Sequence, residues 1–135
     1  MSKNYLVHTA IHCILTHYMK IWLTIFMQIL KQTLKIEEHE KQDNLLEILS
    51  DKYCRAILES IMYSPKSVIE ITAETKIPMS TVYRRIQQLH DNKLLQTSGM
   101  ITAEGKRLFL YKSKVKGIQS SFNAGKIEVE LILNN

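Results

Sequence analysis

The 135-residue sequence predicts an α+β fold with helices first and β-hairpins after. Three observations predict it. Apolar residues recur at helical spacing through most of the first 92 positions. After that the pattern turns to alternation over 93–113 and again over 116–133. Each alternating stretch is divided by a short polar connection that carries a glycine, Gly105 in one and Gly125 in the other.

Length and composition narrow the class. The chain has room for one compact domain plus an extension. An apolar content of 45%, with four Gly and two Pro, argues against a disordered or fibrous chain. The net charge of +5 is unevenly spread: +4 over 1–36, −4 over 37–64, +6 over 65–117 and −1 over 118–135. A polyanionic partner is therefore expected to meet the stretch 65–117. Cys13 and Cys54 make neither a disulfide framework nor a CxxC site, and they read as buried reduced thiols of a cytoplasmic protein.

The N-terminal stretch 5–34 is the most hydrophobic part. His8, His12, His17 and Lys20 interrupt it, and no small-residue cleavage site follows, so it does not read as a secretory signal. It is long enough for a membrane span, which needs roughly 20 apolar residues. Lys20 near its middle would cost a few kcal/mol there. Polar residues fall every fourth position from His8 to Gln28 and wind slowly around an apolar cylinder. That surface suits a long helix buried against a second copy, so 1–43 reads as a dimerisation helix plus a charged linker; "EEHEKQDN" at 37–44 is either an exposed helical turn or a hinge. Membrane association is the secondary expectation, and a translation start at Met19 or Met27 is the third. His8 and His12 have the i, i+4 spacing of helical metal ligands, but Cys13 points about 100° from His12 and no acid occurs before Glu37. No metal and no cofactor are expected.

From Asn44 the pattern is regular. A helix is expected through Tyr53, Ala56, Ile57 and Ile61, capped by Ser50 or Asp51 and ended by Ser64-Pro65. Ser67 with Glu70 three residues on is a capping box for a short helix over 68–73. After the turn Lys76-Ile77-Pro78, the segment 80–92 is expected as a helix capped by Ser80, with Val82, Ile86 and Leu89 as its core stripe. The opposite face carries Ser80, Arg84, Gln87 and Gln88, flanked by Thr81 and Tyr83, with Arg85 toward the buried edge. These side chains bond phosphates and read base edges, arginine to guanine and glutamine to adenine. A merely solvated helix would carry similar residues. The alternating stretch that follows decides the balance, because its connection 102–107 sets Lys106 and Arg107 at or beside a tip. Helix, turn, helix and basic-tipped hairpin make a winged helix-turn-helix over 44–113, with 114–135 as an added β-hairpin.

The pattern "IxxSTVxRxIxxLxxxxLL" at 77–95 resembles the recognition-helix signature of ArsR/MarR-like winged-helix transcription regulators, most of all the small archaeal ones. The likeness covers roughly 45–113. It implies a homodimer that binds double-stranded DNA, with the second helix in the major groove. Two departures stand out. The paired cysteines of metal-sensing ArsR proteins are missing, and Asn92-Lys93 replaces the glycine that usually precedes the wing.

The expected function is a cytoplasmic, sequence-specific DNA-binding regulator. Ser80, Thr81, Tyr83, Arg84, Gln87 and Gln88 would sit in the groove, and Lys106 and Arg107 on the backbone. The alternatives are a winged-helix module for protein interaction within a larger complex, and a membrane-tethered regulator. An enzyme is not expected: the sequence has no phosphate-binding glycine loop, no HExxH and no GxSxG.

Overall fold

The computed structural model describes residues 2–30 and 33–135, with side chains described from 7 to 27 and from 33 onward. The chain divides into two compact units after Gln32. The first is the helix α1, Ser2–Leu30. Between Val7 and Met27 its side chains are exposed throughout. Cys13 is among them, so of the two thiols expected to be buried only Cys54 is. By length and composition this segment could cross a membrane.

The second unit follows the expected order, with one added helix, α2, and one added strand, β1. β1 (Thr33–Ile36) is followed by α2 (His39–Ser50), α3 (Lys52–Ser60), α4 (Val68–Thr75) and α5 (Met79–Asp91). Then come β2 (Leu95–Ile101), β3 (Arg107–Ser113), β4 (Val115–Asn123) and β5 (Lys126–Leu133). Asp51, in extended conformation, ends α2 and caps α3 by accepting from the Tyr53 amide at 2.8 Å. The capping box forms on α4: Ser67 Oγ accepts the Glu70 amide at 3.3 Å, and the Glu70 carboxylate accepts the Ser67 amide at 2.7 Å. These contacts satisfy amides that a helix start leaves unpaired.

α5 runs one residue ahead of the expected 80–92, and its N-cap is Pro78 rather than Ser80. Proline needs no amide partner and its fixed φ suits a helix entrance, so Ser80 falls inside the first turn. At the far end Lys93, not Asn92, takes the left-handed conformation, φ 58°. Leu94 N–H donates to Leu89 O at 3.0 Å and Lys93 N–H to His90 O at 2.9 Å, a Schellman stop built without glycine.

Val82, Ile86 and Leu89 of α5 are buried with Ile48, Cys54, Ile57, Ile61 and Ile71. Val115, Val129 and Leu131 belong to the same core, so residues 114–135 are part of this unit rather than an appendage. β2 and β3 form an antiparallel hairpin, and a bridge from Lys66 to Tyr111 extends it. The second sheet has the order β1-β5-β4. Ala124 and Gly125, both at positive φ, make the two-residue turn between β4 and β5.

Two expectations change. The apolar helix does not continue to 34, because Thr33–Ile36 pairs with β5, with Thr33 opposite Ile132 and Ile36 opposite Val129. The charged run 37–44 is not a linker at a boundary near 43: His39 onward is α2, with Gln42 buried and its Nε2 bonded to Ile36 O at 2.7 Å.

Candidate nucleic-acid interface

The burial of Val82, Ile86 and Leu89 fixes which side of α5 faces out. At about 100° per residue, Ser80, Arg84 and Gln87 lie on the opposite side, and all three are exposed. Thr81 is half-buried on one flank, and Tyr83 is exposed on the other. Arg84 makes no hydrogen bond or ion pair with any described residue, so its guanidinium is available to a ligand. Gln87 Nε2 donates to Asp91 Oδ1 at 2.8 Å along the outer face, a bond that a base edge would have to replace.

Two neighbours turn inward. Arg85 Nε lies 2.8 Å from Asp51 Oδ2. That N–H is not aimed well enough at the oxygen to count as a hydrogen bond, so the contact is an ion pair held by charge and proximity. Its Nη1 reaches Gln88 Oε1 at 3.3 Å. Gln88 is half-buried and its Oε1 also lies 3.8 Å from Cys54 Sγ. Gln88 therefore belongs to a cluster tying α5 to α3, whereas the sequence grouped it with the outward face. Its angle on the helix is intermediate, and of its two partners Arg85 is local while Cys54 lies far away in sequence. Asp51 and Arg85, which sequence reading left out of the site, set how α5 sits on α3. The one advance sign was the place of Arg85 at the edge of the core stripe.

Burial pushes the Cys54 thiol up to about 11. The Asp51 carboxylate adds to the rise, the Arg85 guanidinium opposes it, and Glu47 adds a smaller push. Such a thiol stays protonated and inert. Among the described residues no group of three or more His, Cys, Asp and Glu side chains could hold a metal ion.

The hairpin follows α5 directly and packs against it through β2. Tyr111 of β3 has its phenol raised first by burial and then by the neighbouring Tyr83 hydroxyl, which places the two side chains within electrostatic reach. In the turn, Gly105 takes φ 77° and Thr102 N–H donates to Lys106 O at 2.8 Å. Lys106 and Arg107 are exposed. Arg107 also stacks over the Phe109 ring, 5.4 Å from its centroid, which braces its stem along the strand.

With α3, α4 and α5 followed by this hairpin, the second unit is a winged helix-turn-helix. No family model matches the chain, and no curated protein matches it. Among solved structures it is similar to NolR from Sinorhizobium fredii, with a TM-score of 0.49 and 19% identity over 59% of this chain and 75% of that one. It is similar to HlyU from Vibrio cholerae, with a TM-score of 0.46 and 20% identity over 58% and 80%. It is also similar to a protein described as a possible transcriptional regulator from Methanosarcina mazei, with a TM-score of 0.46 and 19% identity over 62% and 76%.

Proposed function

We propose that this chain is a non-enzymatic, sequence-specific DNA-binding transcription regulator that acts as a homodimer in the cytoplasm. α5 enters the major groove and the turn 102–107 lies on the sugar-phosphate backbone. Arg84, Gln87, Thr81 and Tyr83 read or brace the bases, Ser80 contacts phosphate, and Lys106 and Arg107 hold the wing. One observation carries this reading: Arg84 stands unengaged on the exposed side of a helix whose opposite side is locked into the core.

The direct test is selection of bound duplexes from a random pool, followed by occupancy mapping on the genome. A shared site recovered by both supports the reading. Binding that stays equal for every duplex at every salt concentration rejects base recognition.

A second reading has its own support. The hairpin exposes Met100, Ile101 and Phe109, of which Ile101 is 75% exposed, and such a patch suits an acidic protein partner with an apolar rim. A stable protein complex, together with no affinity for DNA in low salt, would favour it.

A further inference from the structure

We infer that the free edge of β4 pairs antiparallel with β4 of a second copy, about a two-fold axis at Ser120, so that Phe122 of each copy enters a cavity beside Ile118 of the other. In the order β1-β5-β4, β4 has a neighbour on one side only. Along 117–123 its backbone makes no bond outside the β4–β5 ladder among the described residues. β1, the opposite edge, is four residues long and carries Lys35. β4 is nine residues long, and its lysine and its bulge both sit at the start, at Lys116 and between Val115 and Gly117. From Gly117 to Gly125 there is no charged residue and no proline. Charge, proline and shortness are what keep an edge from taking a further strand, and this stretch has none of them.

The register decides which groups face out. Asn123 and Lys126 close a two-residue turn and exchange bonds with each other, so by alternation Ser121 and Gln119 also bond to β5. Phe122, Ser120 and Ile118 therefore direct their N–H and C=O away from the sheet. A two-fold axis at Ser120 sets that residue opposite its own copy and Ile118 opposite Phe122. Every one of those outward groups then finds a partner.

The side chains favour the same pairing. Ile118, Ser120 and Phe122 share the face on which Leu131 and Val129 are buried. At the turn end that face is uncovered, and Phe122 is 75% exposed. At the other end of the strand, Val115, Gly117 and Ile118 line a cavity of about 150 Å³ together with Ile48, Leu58 and Met62. A space of that size holds a benzene ring. One strand thus carries a protruding phenyl at one end and an apolar cavity at the other. Antiparallel pairing brings each to its counterpart, whereas a parallel pair would set phenyl beside phenyl. The pairing names the surface of the homodimer proposed above and rests on that part of the reading; it is independent of whether α5 reads DNA.

Disulfide trapping in the full chain tests it. Ser120→Cys and Ser121→Cys are made separately with Cys13→Ser and oxidised mildly. Residue 120 meets its own copy at the Cα separation of a hydrogen-bonded pair, about 5.5 Å, which a disulfide can span. Residue 121 meets residue 119 instead, on the other face of the sheet. Ser120→Cys is expected to give a covalent dimer on a non-reducing gel, and Ser121→Cys to stay single. Phe122→Ser and Ser120→Lys both change exposed side chains and should leave the helical circular dichroism as it is. In sedimentation, each should raise the dimer dissociation constant about tenfold or more, the first by emptying the cavity and the second by setting like charges face to face. Equal trapping at both positions, no trapping at 120, or a dissociation constant that neither substitution moves overturns the edge pairing. If the native chain is still a dimer in those cases, the homodimer reading stands; a monomeric native chain overturns both. A different protein trapped at 120 overturns the second copy as the occupant.

Discussion

Successive residues on a helix point about 100° apart, and in Arg84 and Arg85 that angle separates two tasks. Arg84 faces out with no partner among the described residues, while Arg85 is held at 2.8 Å from Asp51. Arg84→Ala is expected to weaken binding to the selected site by about 1–3 kcal/mol and to relax preference at one base position. Fluorescence anisotropy on matched and single-mismatch duplexes checks both parts; equal loss on all sequences contradicts base reading. Cys54 makes a second prediction at this scale. With its thiol pushed up to about 11, the folded state holds the proton more tightly than the unfolded one. Its stability contribution is full below the ordinary thiol range, near pH 9, and declines as pH rises toward 11. A thiol reagent at pH 8 should therefore modify Cys54 only after denaturant is added. The stability difference between the native chain and Cys54→Val should also change above pH 9 and stay flat below it. Some of this was legible in the sequence and some was not. Val82, Ile86 and Leu89 announced the buried side of α5 by spacing alone. The inward turn of Gln88 rests partly on the local Arg85 and partly on Cys54, a residue on another helix that no local pattern could pair with it.

Elements whose definition is local were readable, and those that depend on remote pairing were not. Ser67 and Glu70 specify the start of α4 within four residues, and the hairpin β2–β3 is written in alternation around Gly105. β1 is different: "TLKI" continues an apolar run, and only Ile132 to Val129, at the other end of the chain, make it a strand. Two predictions belong here. Lys106→Ala and Arg107→Ala should each lower the slope of log affinity against log salt by about one unit, with little change in which sequence is preferred. Titrations at several salt concentrations measure that, and an unchanged slope would remove the wing from the backbone. The cap on α4 gives a pH-dependent counterpart. Bonds from the Ser67 amide and hydroxyl hold the Glu70 carboxyl below its usual value of 4.5. Its contribution is then present above that value and lost as pH falls through the lower folded one. Ser67→Ala should cost about 1 kcal/mol at neutral pH, and its deficit relative to the native chain should shrink in acid.

For the whole second unit, the C-terminal hairpin and the helix-turn-helix stand or fall together, because Val129 and Leu131 share a core with Ile48 and Ile57. Leu131→Ala is expected to cost about 2–5 kcal/mol. Amide hydrogen exchange should give the buried positions of β5 and of α5 the same opening free energy, whereas faster exchange in β5 alone would mean that the hairpin opens by itself. Charge also acts at this scale: the surplus of +6 lies in 65–117, which holds α5 and the hairpin, while 37–64 is at −4. A polyanion approaching the unit is thereby turned toward α5 rather than α2 and α3. The pairing of β1 with β5 has a practical consequence. Thr33 lies opposite Ile132, three residues from the C-terminal Asn135, so both ends of the folded unit emerge side by side from one sheet. A fusion partner attached after Asn135 would crowd the junction at Thr33, where β1 begins. A label inserted at Ala124-Gly125, the exposed turn at the far end of β5, keeps clear of that junction.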